Sequence, residues 1–244
     1  MDILATVGVL LVVYTSFTIS ASAGLGGSLL MVPTLALFLG TKEGVALAAL
    51  LLASNNVMKI IAYRQTLPFR KAAGIAVLIV IGATVGSTLL VRAPVWAVTV
   101  AVLAMFATTI VTERSLAQGH EIKPVRRRFA PFLALVSGAS SGFSGTSGPL
   151  KGVAIRNLDL DRRHFVGAAS LASFAGDAAK TAIFAEADLL GRNAWLTALA
   201  AVPLMALGTW TGSKLNERLG EQTFAVLFWT VMSGYSIRLG IFLF

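Results

Sequence analysis

The sequence predicts an all-α integral membrane protein of two inverted-topology repeats, each with one broken or re-entrant helical element and three transmembrane helices. Three observations lead to this prediction. The chain of 244 residues is 56% hydrophobic and only 13% charged, which is far from the balance of a soluble domain. Two long apolar regions are interrupted by glycine and serine. The two halves of the chain also resemble each other.

The predicted spans follow from the length of the apolar segments, since a bilayer core takes about 20 residues as a helix. Segments of this length lie at 43–63, 72–91, 95–112, 164–185, 192–213 and 222–243. Residues 3–41 carry no charge, and as one helix they would measure about 58 Å at 1.5 Å per residue, nearly twice the hydrocarbon thickness. Residues 129–155 are interrupted by SGASSGFSGTSG, a poor composition for a continuous helix. Both regions are therefore expected to be broken.

The basic residues predict the orientation of the spans. If each broken region returns to its own side, most of the 20 Lys and Arg residues fall in the loops on one side, and such loops face the cytoplasm. The predicted cytoplasmic loops are 64–71, 113–128, 156–163 and 214–221. Both termini then lie outside. A topology in which each broken region crosses twice gives the same loop sides, so the depth of these regions stays open.

An internal repeat relates the two halves. A shift of 121 positions brings GLGGSLLMV onto GTSGPLKGV, pairs Lys59 with Lys180, and sets Asn56 against Asp177. After a five-residue insertion the shift becomes 126, and GATVGSTLLVR meets GTWTGSKLNER. This similarity predicts that the two halves have the same order of elements.

The repeat predicts the organisation of the chain. One membrane domain would contain repeat 1 at 1–116, a basic cytoplasmic linker at 117–128 and repeat 2 at 129–244. One broken element followed by three spans makes an odd number of crossings, so consecutive copies must point in opposite directions. Inverted repeats of this kind are typical of secondary transporters, in which interrupted helices of the two halves form the substrate site near the midplane. The sequence therefore predicts a transporter.

The two breaks are candidate half-sites for a small anion. A helix that restarts after a break exposes unpaired N–H groups and the positive end of its dipole, and glycine allows close approach to the backbone. The candidate residues are Gly24, Gly26, Gly27 and Ser28 in the first break and Gly145, Thr146, Ser147 and Gly148 in the second. Hydroxyl donors would come from serine and threonine, including Ser22 and Ser144. The alternative is that these small residues only allow tight helix packing.

Three lysines lie outside the loops, where an ionisable group is costly and usually has a functional or pairing reason. Lys151 follows the second break closely and is the best single cation for attracting an anion. Lys180 is a second candidate, but Asp177 precedes it by three residues, so the two side chains also suit a structural ion pair. Lys59 lies near the cytoplasmic end of its span, and snorkelling accounts for it equally well.

Polar side chains of the two halves are predicted to lie at the same depth in the membrane. Asn55 and Asn56 lie in the middle of a span and align with Gly176 and Asp177, so they are candidate substrate ligands; the alternative is a helix–helix hydrogen bond. Asp177 is also a candidate proton carrier that couples anion movement to the proton gradient.

Other functional classes are poorly supported by the composition. The chain has no cysteine and only two histidines, and neither a zinc motif nor a catalytic Ser–His or paired-Asp arrangement occurs. We therefore expect no metal, no cofactor and no enzymatic activity. The net charge of +9 reflects topology rather than nucleic-acid binding. The expected partners are a small anionic substrate and the lipid bilayer, and a homodimer is compatible with the sequence.

The order of motifs resembles the sulfite exporter TauE/SafE family over essentially the whole chain. Its most specific parts are GLGGSLLMVPTL, SGFSGTSGPL and their two-copy arrangement. The resemblance implies a secondary transporter that exports sulfite, sulfoacetate or a related organosulfonate or carboxylate across the bacterial inner membrane by alternating access. The chain departs from the family pattern where Ser28 replaces a glycine and Ala154 faces Pro33. An anion channel and a non-transporting scaffold subunit are the alternatives.

Overall fold

A computed structural model describes residues 7–18 apart from 9 and 12, and residues 28–117, 126–147 and 150–216. The regular structure in these ranges is helical. The described residues of 7–18 belong to a helix, α1. The later α-helices are α2 (Ser28–Leu39), α3 (Thr41–Ala62), α4 (Phe69–Arg92), α5 (Val95–Ala117), α6 (Ala130–Ser144), α7 (Leu150–Arg156), α8 (Arg162–Glu186) and α9 (Arg192–Asn216).

Five of the predicted spans correspond to α3, α4, α5, α8 and α9, and the sixth, 222–243, lies outside the described residues. Within the described part of the chain, three stretches are long and apolar enough to cross a membrane: Thr41–Ile61, Phe69–Arg92 and Arg192–Thr211. The all-helical membrane fold predicted from the sequence is therefore confirmed at this level.

Helix α4 has two unlike faces. Val77, Ile81, Val85 and Leu89 recur every fourth residue and are all exposed, so they form one apolar stripe on the helix surface. The opposite face is buried against neighbouring helices. A large exposed apolar stripe costs free energy in water, whereas lipid tails solvate it, as expected of a membrane helix.

The structure has a break at the end of the second predicted interruption, although residues 137–144 are still helical. Helix α6 ends at Ser144, and Gly145 follows with φ +79°, a left-handed conformation that favours glycine. Helix α7 begins only at Leu150. The first predicted break, with Ser22, lies outside the described residues. The helix after it, α2, continues through Pro33.

The contacts divide the chain into two compact units, Met1–Leu51 with Leu189–Phe244, and Leu52–Asp188. The second unit has a core of small and branched side chains from α4, α6, α7 and α8, namely Ala72, Ile75, Ala76, Ile79, Ala134, Ala154, Ile155, Ala168 and Ala172. The many alanines allow these helices to approach closely, which favours van der Waals packing between membrane helices. The boundaries of the units do not follow those of the predicted repeats.

Each unit contains an equivalent helix pair that packs through glycine. In the second unit, a Cβ built on Gly82 of α4 would lie 2.1 Å from the carbonyl oxygen of Leu135 and 2.8 Å from the amide nitrogen of Ala139 in α6. In the first unit, a Cβ on Gly208 of α9 would meet the carbonyl oxygen of Tyr14 at 2.7 Å and the amide nitrogen of Thr18 at 3.3 Å in α1.

The two contacts are related by the shifts found in the sequence. Gly82 and Gly208 are 126 positions apart, and the residues that they meet in α1 and α6 are 121 positions apart. Helices α3 and α8 also begin 121 positions apart, at Thr41 and Arg162. The sequence similarity of the two halves therefore extends to the packing of their helices.

Candidate functional site

The candidate site is centred on Asp177, in the middle of α8. This helix begins after Asp161, whose carboxylate accepts a hydrogen bond from the amide of His164 and so caps its N-terminus. Asp177 is buried, and its Oδ1 lies 2.7 Å from Nζ of Lys180 one turn later. Nδ2 of Asn56 in α3 donates to its Oδ2 at 2.9 Å. Both carboxylate oxygens therefore have partners, as a buried charge requires.

Lys180 connects this ion pair to the second break. Its side chain is fully buried, and its Nζ also donates to Oγ of Ser141 in α6 at 3.0 Å. The carbonyl oxygen of Ser141 accepts the amide hydrogen of Gly145, the left-handed residue that ends α6. The ion pair predicted between Asp177 and Lys180 therefore forms, and it lies one helical turn from the break.

The break itself is closed by local hydrogen bonds. Oγ of Ser144 donates to the carbonyl oxygen of Ser140 at 2.8 Å and lies 3.1 Å from that of Thr146. The Ser144 hydroxyl is thus engaged with the backbone, and the expectation that it donates to an anion is not supported in this conformation. Thr146 and Ser147 are buried beside it. Helix α7 has only seven residues, so its dipole sums few peptide groups. We therefore assign the positive charge near this break to lysine side chains.

Lys151 lies in the first turn of α7 and points toward α8. Its Nζ donates to Oγ of Ser173 at 2.7 Å, and this hydroxyl in turn donates to the carbonyl oxygen of Ala169. Lys151 also interacts electrostatically with Asp177, Lys180 and Lys59. The structure therefore brings Lys151 into the same cluster as the buried ion pair.

Lys59 was not among the predicted site residues, because snorkelling explained its position equally well. It follows Asn56 by three residues on α3, so the two side chains share one face of the helix, and it interacts electrostatically with Asp177. The signal in the sequence was the repeat itself, which aligns Lys59 with Lys180.

The structure separates the two predicted asparagines. Asn56 binds Asp177, while Asn55 is buried about 100° further round α3. Ser28 is half-buried at the start of α2, in the first unit. The remaining candidates lie outside the described residues and are Gly24, Gly26, Gly27 and Gly148.

Ser137 is a further polar residue that sequence reasoning did not select. It precedes Ser141 by one turn on α6, and its side chain is 1% exposed. Its Oγ is the one fully buried side-chain polar atom in the described part of the chain that has no hydrogen-bond partner. A buried hydroxyl without a partner is uncommon, so this face of α6 retains hydrogen-bonding capacity next to the charged cluster.

The cluster combines hydrogen-bond donors with a carboxylate acceptor. Its ammonium groups, carboxamide and hydroxyls can donate, and the carboxylate of Asp177 accepts. Among the residues that the structure describes, no group of three or more His, Cys, Asp or Glu side chains is arranged to hold a metal ion.

The family model described as sulfite exporter TauE/SafE matches residues 9–239. No curated protein and no solved structure matches the chain. Since the family match covers nearly all 244 residues, the chain belongs to the sulfite exporter TauE/SafE family and is, at that level, a membrane transport protein.

Proposed function

We propose that this protein exports a small anion, such as sulfite, sulfoacetate or a related organosulfonate or carboxylate, across the bacterial inner membrane. The observation that carries the proposal is a buried polar network. Asp177 accepts a hydrogen bond from Asn56 and pairs with Lys180, and Lys180 also donates to Ser141. Buried ionisable groups are expensive in a membrane protein and mark substrate or ion pathways. The network also adjoins a helix break, the place where secondary transporters bind their substrates.

Alternating access between two inverted repeats is the proposed mechanism. It is supported by the equivalent glycine contacts of Gly82 and Gly208 and by the matching starts of α3 and α8. Two copies with similar packing and opposite orientation give two conformations that open to opposite sides. An anion that binds at the meeting point of the copies is then exposed to each side in turn.

Asp177 is the proposed coupling group. In the structure its carboxylate holds Lys180 at 2.7 Å. A proton on Asp177 would remove the charge that holds this ammonium group, and Lys180 would become available to the substrate. Anion binding and proton binding would then be linked through this one carboxylate.

Flux into proteoliposomes tests the proposed function. The purified protein should carry labelled sulfite or sulfoacetate at a rate that saturates with concentration, and an imposed proton gradient should change that rate. Flux that does not saturate and needs no coupling ion would identify an anion channel. No flux of any small anion, together with stable binding of a protein partner, would identify a scaffold subunit.

A further inference from the structure

The site contains one short motif twice. Asn56 and Lys59 are three residues apart on α3, and Asp177 and Lys180 are three residues apart on α8. The two motifs occupy equivalent positions of the repeat, 121 residues apart, and Nδ2 of Asn56 lies 2.9 Å from Oδ2 of Asp177. Equivalent residues of two related copies touch only where the copies meet. The two motifs therefore meet through Asn56 and Asp177.

The two copies differ by one charge. In the α8 copy the carboxylate of Asp177 neutralises Lys180 at 2.7 Å. In the α3 copy the equivalent position is Asn56, whose carboxamide offers Lys59 no counter-charge. Lys59 is therefore left without an acidic partner of its own motif, although it is half-buried at the end of a membrane helix.

Lys151 adds a second uncompensated charge. Its hydrogen bond goes to the neutral hydroxyl of Ser173. Among the residues that the structure describes, the only ion pair made by these three lysines is that between Lys180 and Asp177. Three ammonium groups thus share one carboxylate, and the site carries a surplus of two positive charges while Asp177 is ionised.

We infer that Lys59 and Lys151 are substrate ligands and that the site selects a doubly charged anion over a singly charged one. Lys59 and Lys151 are half-buried, and a surplus of charge that is partly removed from water is unfavourable. While Asp177 is ionised, a ligand with two negative charges balances this surplus, whereas a monoanion balances half of it. Sulfate and sulfoacetate are dianions at neutral pH, and sulfite becomes one when it loses its second proton, which titrates near neutrality. The inference rests on the proposed function, because it concerns the selectivity of that same site.

A matched pair of ligands tests the inference. Sulfoacetate and isethionate carry the same sulfonate, but the second charge of sulfoacetate is replaced by an alcohol in isethionate. Binding to the purified full-length protein in lipid nanodiscs would be measured by calorimetry. We expect sulfoacetate to bind at least about tenfold more tightly, since its second charge forms a charge-assisted hydrogen bond that isethionate lacks.

The variants Lys59→Gln and Lys151→Gln should each weaken sulfoacetate binding by about tenfold or more. Their effect on isethionate should be smaller, so the preference for the dianion should shrink. Lys59→Arg keeps the charge and should retain the preference. Lys71→Gln removes an exposed lysine of the same unit and should change neither affinity.

The outcomes separate this inference from the proposed function. If the wild-type protein binds both ligands equally, or if Lys59→Gln leaves the preference intact, the inference is wrong and the anion exporter stands. If the wild-type protein binds neither of these ligands, nor sulfite, nor sulfate, the proposed function itself fails. The comparison of the two ligands on the wild-type protein needs no variant, so it remains decisive if a substitution prevents folding.

Discussion

At the residue scale, Asp177 combines a structural and a proposed functional role. Its two carboxylate oxygens accept from Asn56 and pair with Lys180, so they connect α3 with α8. The same carboxylate is the proposed coupling group, because the loss of its charge would release Lys180.

Replacing Asp177→Asn should abolish the pH dependence of transport while preserving expression, because the asparagine cannot carry the proton. Lys180 would lose its counter-charge and remain available to the anion at every pH. The measurement is the initial rate of sulfite or sulfoacetate flux in proteoliposomes across a series of internal pH values. A pH profile that remains unchanged in the variant would exclude Asp177 as the coupling group.

Replacing Lys180→Gln should lower the free energy of unfolding by roughly 3–5 kcal/mol, since it leaves a buried carboxylate without its cation. Chemical denaturation in detergent would measure the change, with Lys71→Gln as an exposed control. The double variant with Asp177→Asn should recover part of the loss, because both charges are then removed. A single variant as stable as the wild type would show that the ion pair is not needed for folding.

At the scale of the elements, glycine determines how closely α4 and α6 approach. A Cβ on Gly138 would lie 2.2 Å from the carbonyl oxygen of Ile79 and 2.9 Å from the amide nitrogen of Ala83. Backbone atoms cannot move aside as a flexible side chain does, so the helices must separate. Glycine therefore has a packing role in α4 and α6, whereas Gly145 adopts the left-handed conformation that ends α6.

The substitution Gly138→Ala should therefore destabilise the protein by about 1–3 kcal/mol, the usual cost of overpacking. Gly74→Ala provides the control on α4, because that position is exposed and a Cβ there meets nothing within 4 Å. It should be neutral or stabilise by up to about 1 kcal/mol through helix propensity. Thermal unfolding in detergent measures both, and equal melting temperatures would contradict the packing argument.

At the scale of the whole molecule, the distribution of basic residues predicts the topology. The basic residues predict that loop 64–71 is cytoplasmic, and the start of α9 at Arg192 then lies outside. The apolar stripe of α4 supports a location in the membrane. The stripe assigns no side to the loops, since an apolar helix can cross a bilayer in either direction, so the orientation rests on the basic residues.

Single-cysteine labelling tests this topology without background labelling of native residues, because the chain contains no cysteine. Gln65→Cys and Gly191→Cys are suitable because both positions are exposed, and a Cβ on Gly191 meets nothing within 4 Å. In intact cells an impermeant maleimide should label the second variant and not the first. The reverse pattern would invert the predicted orientation.

Much of the fold was predictable because it depends on local properties. The lengths of the apolar segments predicted the helices. The composition of 137–148 predicted a break, and α6 ends within this range, at Ser144. The repeat shift also anticipated which positions are equivalent. What it did not anticipate was the division into compact units, since contacts between distant helices do not follow sequence order.

The sequence predicted individual residues of the candidate site but not the contacts between distant helices. Helical spacing alone placed Asp177 and Lys180 on one face, and the repeat alone set Asn56 opposite Asp177 in alignment. Spacing within one helix cannot say which faces of two distant helices meet. Tertiary packing therefore decided three features of the site: the hydrogen bond from Asn56, the contact of Lys180 with Ser141, and the presence of Lys151 in the same cluster. The physical reason is that a buried polar group pairs with the groups that the fold places within hydrogen-bonding distance.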